Sequence, residues 1–87
     1  MEIRYTDEAL KDLAYWKKVC NKIIQNKIQL LIEDIAKTPF EGIGKPHALK
    51  YDLSNSWSRR INLEHRIVYR LINDETIEIE SMRGHYN

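Results

Sequence analysis

The sequence predicts a single small α+β domain over residues 1–87, with an N-terminal strand and a helical hairpin packed on a curled antiparallel β-sheet. Two observations define its halves. Apolar side chains recur at three- and four-residue spacings as far as about Lys37, and from His47 onward the period changes to two. A third observation separates them: Thr38-Pro39 stops the helical pattern, because the residue before proline is pushed out of the α region. A chain of 87 residues has room for one core, and buries only about 60–65 % of its unfolded surface. Apolar residues at 43 % and charged residues at 31 % suit a globular chain and exclude a disordered one.

Ile3 and Tyr5 alternate with Arg4 and mark the first strand. Thr6 is placed to cap a helix, its hydroxyl accepting an orphan backbone N–H, and Asp7 and Glu8 suit the positive end of the helix dipole. Ala9, Leu13, Trp16 and Cys20 form one apolar face of a helix over about residues 7–19. Cys20 is expected in the core, since free cysteine is among the most buried residue types; a catalytic thiol is the minor reading. Asn21 can cap a second helix, in which Ile24, Ile28, Leu31 and Ile35 repeat the spacing down to about Lys37. Residues 40–46 contain Gly42, Gly44 and Pro46 and read as a loop. They match neither GxGxxG nor GxxxxGK[ST].

Leu49, Tyr51 and Leu53 alternate with Lys50 and Asp52, and Trp57, Arg59 and Ile61 alternate with Ser58 and Arg60. Asn62-Leu63-Glu64-His65 reads as a turn, Arg66–Ile72 as a strand rich in β-branched and aromatic residues, and Asn73-Asp74-Glu75 as a tight turn. Thr76–Met82 is the last strand, with Ile77 and Ile79 on one face. Strands joined by such short turns are antiparallel neighbours.

The net charge of +1 conceals a segregation. Residues 1–43 carry seven bases and seven acids, and residues 44–70 carry six bases (Lys45, Lys50, Arg59, Arg60, Arg66, Arg70) against Asp52 and Glu64. Residues 71–82 carry four acids and no base. A concentrated basic segment is either a solvated face or a surface for a polyanion, which gains by releasing counterions from phosphates. His47, His65 and His85 lie in or just beyond this segment. Metal-independent RNA cleavage needs a base for the 2′-hydroxyl, an acid for the departing 5′-oxygen and a cation for the crowded phosphorane. Histidine can move protons near neutrality and arginine matches phosphate oxygens, so candidates for all three roles are present. No Cys/His cluster has zinc spacing, and neither a metal nor another cofactor is expected. No apolar run approaches the roughly 20 residues of a membrane span, and Met1-Glu2-Ile3-Arg4 lacks the form of a signal peptide. A cytoplasmic location with no membrane contact is therefore expected.

The strings Gly44-Lys45-Pro46, Leu49-Lys50, Trp57-Ser58-Arg59-Arg60-Ile61, Glu64-His65-Arg66-Ile67-Val68-Tyr69 and His85-Tyr86, with Tyr15-Trp16 ahead of them, extend over essentially the whole chain. In this order and spacing they resemble the YoeB (Txe) toxins of the RelE/ParE superfamily. The resemblance implies a RelE-like fold and a toxin that enters the ribosomal A site and cuts messenger RNA by 2′-hydroxyl attack. It also implies a YefM/Phd-type antitoxin as partner, and homodimers are common among such toxins. By the same resemblance, Arg66 matches the phosphate-stabilising arginine, His85 the general acid and Tyr86 a residue that orients the reacting groups. Lys50 and the Arg59-Arg60 pair match positions that contact RNA or ribosome, Lys50 being a possible catalytic residue as well, and Lys45 belongs to the same basic set.

His47 departs from the family pattern, which has a glutamate, assigned as general base, between GKP and LK. Three readings stay open: His47 is the base, Glu64 beside Arg66 takes its place, or the base is missing and the protein is a weakened enzyme or a binder. Gly84 also departs, standing where a tyrosine is usual, and Asn87 extends past the His-Tyr pair. Trp57 either stacks a base or packs in the core, and the alternation favours the core. His65 is expected at the surface or in a hydrogen bond, and Arg70 is expected to pair with Glu78 or Glu80. The non-enzyme alternative is a ParE-like toxin that binds gyrase. His85-Tyr86 and Arg66 argue against it, because a pure binder needs no acid and no phosphate cation at those places.

Overall fold

The computed structural model describes residues 1–50 and 55–84. In chain order these form β1 (Glu2–Tyr5), α1 (Asp7–Lys18), α2 (Lys22–Lys37), β2 (His47–Ala48), β3 (Trp57–Arg60), β4 (Arg66–Asn73) and β5 (Thr76–Ser81). Both expected caps form. Thr6 accepts the Ala9 N–H and Asn21 accepts the Ile24 N–H, each satisfying a donor that the helix itself cannot. Ala9, Trp16, Ile24, Ile28, Leu31 and Ile35 bury one stripe of the hairpin against Ile67, Tyr69, Ile77 and Ile79 of the sheet. The helices thus cover one face, and the opposite face of the sheet is left for other work.

The strand order is β1-β5-β4-β3-β2. The β2–β3, β3–β4 and β4–β5 pairs are antiparallel, as their short connections require. β1 corrects the expectation of an antiparallel sheet: it runs parallel to β5, with Ile3 opposite Ile77, so the sheet is mixed. No tight turn joins these two strands, so the rule that orients the hairpins does not govern them. Two register irregularities along β4–β5 add the local twist that curls the sheet.

Cys20 is a second correction. It is exposed, not in the core. α1 ends at Lys18 with Val19 as its cap, and Cys20 adopts a left-handed φ of 55°, so the four-residue spacing from Trp16 stops being a helical one. Trp57 is half-buried, packs against the core cluster and meets Phe40 at 4.7 Å between ring centroids. β2 is His47–Ala48, just ahead of the alternating run; Leu49 and Lys50 are not in a strand, and Tyr51, Asp52 and Leu53 lie outside the described residues.

Candidate active site and nucleic-acid interface

Opposed residues of neighbouring strands share a face, and faces alternate along each strand. His47 is paired with Ser58, Ser58 with Val68, Arg60 with Arg66, and Arg70 with Glu78. These residues therefore share the face turned away from the helices. Trp57, Arg59, Ile67 and Tyr69 lie on the other.

Arg59 is consequently a correction to the expected RNA contacts: its side chain is fully buried. Nε donates to the Tyr69 hydroxyl, Nη1 to the Asp34 carboxylate and the Ile43 carbonyl, and Nη2 to the Thr38 and Glu41 carbonyls. Those acceptors match the five N–H donors of a guanidinium, so the charge is buried with its partners supplied. Tyr69 in turn donates to the Pro39 carbonyl. The Arg59 guanidinium, with the Ile43 N–H, holds the Asp34 carboxyl below its usual value, while burial raises the Tyr69 phenol. The loop after α2 is thereby wrapped on a buried arginine. Gly42 is required there, because a side chain at its φ of 124° would run into the Asp34 carboxylate.

This wrapping delivers the basic residues of the outer face. The Gly44 carbonyl accepts the Arg60 N–H, bringing the loop alongside β3, and the next residues are exposed Lys45 and, after Pro46, exposed His47. Lys50 is exposed as well. Arg60 and Arg66 stand directly opposite one another. A like-charged cross-strand pair is destabilising unless an anion offsets it. Burial, and to a lesser degree the neighbouring Arg60, lower the Arg66 guanidinium from its usual value. Ideal strand spacing puts the His47 and Arg66 Cα atoms about 12 Å apart, a span that two side chains and a phosphate between them can bridge.

The basic face has an edge. Arg70 pairs with Glu78 at 3.3 Å and with Glu80 at 3.8 Å, as expected from sequence, and Ser56 Oγ donates to Glu80. Arg70 is thus neutralised by the acids of β5, and Lys45, His47, Lys50, Arg60 and Arg66 are other basic residues of the basic segment among the described ones. Glu64 sits exposed in the β3–β4 loop, where Asn62 Oδ1 accepts the Glu64 and His65 N–H groups. Its carboxylate has no ion-pair partner among the described residues. His85 and Tyr86 lie outside the described residues.

The chain that leads toward them is closely held. The Met82 N–H donates to Asp12, and Trp16 Nε1–H donates to the Met82 carbonyl, both at 2.9 Å. Arg83 lies over the Tyr15 ring at 3.6 Å. Gly84 donates to His65 Nδ1, and its carbonyl accepts the Arg66 N–H, again at 2.9 Å. The sequence reading missed the anchoring roles of Asp12, Trp16 and Arg83, which no local pattern announces. His65, expected at the surface or in a hydrogen bond, accepts one from the Gly84 N–H. Among the described residues no three His, Cys, Asp or Glu side chains gather as a metal site.

A family model described as a YoeB-like toxin of bacterial type II toxin–antitoxin systems matches residues 5–86. Toxin YoeB of Escherichia coli K12 is 44 % identical over 86 residues, covering 99 % of this chain and 100 % of that protein. The YoeB dimer from Staphylococcus aureus is similar in structure, with a TM-score of 0.89 and 39 % identity, covering 99 % of this chain and 98 % of that one. The YoeB–YefM complex of Staphylococcus aureus matches with a TM-score of 0.85 and 40 % identity over the same shares of the two chains.

Proposed function

The chain belongs to the YoeB-like toxins of bacterial type II toxin–antitoxin systems, and from that premise we propose that it is a ribosome-dependent endoribonuclease that cleaves messenger RNA in the ribosomal A site. The observation that carries this reading is the Arg60–Arg66 pair, two like charges set opposite each other on the face that the helices leave uncovered. Two guanidiniums on one face offer an RNA phosphate two forks of donors, and binding it releases counterions.

In the proposed reaction His47 takes the proton of the 2′-hydroxyl. The 2′-oxygen forms a bond to the adjacent phosphorus while the bond from phosphorus to the 5′-oxygen breaks. Arg66 stabilises the charge on the phosphorane, His85 returns a proton to the leaving 5′-oxygen, and Tyr86 orients the reacting groups. The products are a 2′,3′-cyclic phosphate and a 5′-hydroxyl, so the step balances without a cofactor. Lys45, Lys50 and Arg60 hold the RNA and the ribosome. The position of His47 on the face of Arg66, with Glu64 exposed in the β3–β4 loop, favours His47 over Glu64 as base. A YefM/Phd-type antitoxin and self-association complete the reading, supported by the Staphylococcus aureus complex and dimer. The proposed site of action is the cytoplasm, where ribosomes translate.

Single-turnover cleavage on programmed ribosomes tests the mechanism. His85→Gln is expected to lower the rate about 10²–10⁴-fold while ribosome binding persists. His47→Ala is expected to be similarly damaging. His47→Glu should retain activity and move the acid limb of the pH–rate profile downward, since carboxylates titrate below imidazoles. Damage in Glu64→Gln with a mild effect in His47→Ala would transfer the base to Glu64. RNA left uncut by the parent on translating ribosomes would sink the nuclease reading.

A further inference from the structure

The segment after β5 is bound on both sides, and one of its bonds differs in kind from the others. Gly84 is paired through both backbone groups with two successive residues: its carbonyl accepts from the Arg66 N–H and its N–H donates to His65 Nδ1. A φ of 91° permits this arrangement, and the space around its Cα is open, so glycine serves the backbone here and not the packing. The remaining anchors use a carboxylate, an indole N–H and a backbone N–H. The Gly84 N–H instead depends on an imidazole lone pair. With Nδ1 accepting, the neutral ring carries its proton on Nε2; once protonated, both ring nitrogens are donors and the Gly84 N–H has lost its acceptor. The ring is held for this task, half-buried and edge-on to Trp16 at 4.8 Å and 79°. Trp16 itself grips the same segment through the Met82 carbonyl.

We infer that His65 is a positioning residue whose unprotonated Nδ1 clasps the Gly84 amide and thereby sets where the following residues, His85 and Tyr86, are delivered. The inference rests on the proposed cleavage reaction for its consequence, and on the Gly84 hydrogen bond for its cause. Among the described residues, the charged and titratable groups on the elements around the ring are Asp12 and Tyr15 of α1, Arg60 of β3, Glu64 and Arg66 of its own hairpin, and Arg83 of the tail. Carboxyl, phenol and guanidinium groups ordinarily change charge outside the range in which imidazoles do. His47 and His85 are the same in parent and variants, so comparison between variants isolates His65.

The test compares the full-length parent with His65→Asn and His65→Gln. Asparagine sets a non-titrating carbonyl oxygen near the position of Nδ1, whereas glutamine carries its amide out toward Nε2. In the free protein, the Gly84 amide is followed by NMR across about pH 5–8, the range in which imidazoles change charge. The parent is expected to show the Gly84 amide moving with the same midpoint as the His65 ring and losing about fivefold of its exchange protection, the factor one ordinary hydrogen bond contributes. His65→Asn should stay flat and protected, and His65→Gln unprotected throughout. On programmed ribosomes His65→Gln should lower the single-turnover rate about fivefold with ribosome affinity unchanged, and His65→Asn should restore the rate and soften its fall on acidification. A Gly84 amide that ignores the His65 titration overturns the clasp. Parental cleavage by His65→Gln, with the amide released, overturns the positioning role. A parent that cuts no RNA removes the nuclease reading and that role together, whereas the Gly84 titration still reads the clasp by itself.

Discussion

Arg59 and Arg60 are neighbours on one strand, and the two faces of the sheet treat them in opposite ways. Arg59 turns toward the helices, where Asp34, Tyr69 and three carbonyls accept from it. Arg60 turns outward and meets Arg66, a second cation. One charge is spent on holding a loop; the other is kept where an anion can reach it. A basic run in a sequence is therefore a sum over two faces, and the pleat divides it. Charge becomes structural where acceptors converge on it, and a binding surface where they do not.

The comparison breaks most sharply at Arg59. Arg59→Ala strips the Thr38, Glu41 and Ile43 carbonyls of their donors and leaves Asp34 unpaired. Removing one member of a buried pair costs about 3–5 kcal/mol, and the lower end applies because the Asp34 side chain is 28 % exposed and water reaches it. A loss of about 3 kcal/mol is large in a domain whose total is about 5–15 kcal/mol. Denaturant unfolding should show it, and Arg59→Lys should recover only part, having three donors on a point instead of a five-donor fork. Parental stability in Arg59→Ala would mean that the loop stands without its hub.

On the outer face the effects should separate from stability. Arg66→Ala is expected to lower cleavage about 10²–10³-fold, the scale of losing one transition-state donor. Arg60→Ala should act on binding, flattening the slope of log affinity against log salt by about 0.7 for single-stranded RNA. Arg60→Ala should not lower the melting temperature, since it removes a like-charge opposition. A destabilised Arg66→Ala with unchanged cleavage would make Arg66 a second Arg59.

The smallest contrast is in acid. Asp34 titrates below its ordinary value of 3.8 in the folded protein because Arg59 holds its charged form. Its contribution to stability is fully present above that value and disappears as the pH falls through it toward the lower folded one. Asp34→Asn should therefore lower stability at neutral pH and flatten the part of the acid unfolding curve below about pH 4. An acid limb identical in Asp34→Asn and the parent would assign it to other carboxylates.

What the sequence made legible follows the range of the signals. Thr6, Asn21 and Thr38-Pro39 act within one turn of chain, and they mark the helix ends as the structure has them. The hairpin turns at Asn62–His65 and Asp74–Glu75 were equally local. The direction of β1 was not legible, because Ile3 and Ile77 meet across most of the chain with no turn between them. Cys20 misled because its spacing outlived its helix by two residues. Arg59 was readable in part: its alternation with Trp57 and Ile61 already put it on the apolar face, where an arginine must bring acceptors with it. Four of its five acceptors lie 16 to 25 residues upstream, on α2 and the loop after it, and no spacing rule reaches them. The residues that anchor the tail were hidden for the same reason, since Asp12 and Met82 are 70 positions apart.

The parallel β1–β5 pair also governs how this chain comes to be folded. Ile3 must wait for Ile77, and at about 5–20 residues per second the first strand stays unpartnered for on the order of 4–15 s of synthesis. Helix α1 and helix α2 are local and can form early, while closure of the sheet is a long-range step that folding rates register as high contact order. An unpaired strand is a hazard during that interval. β1 is short and carries Glu2 and Arg4 on alternate positions, which blunts its edge against the wrong partner until its own has been made.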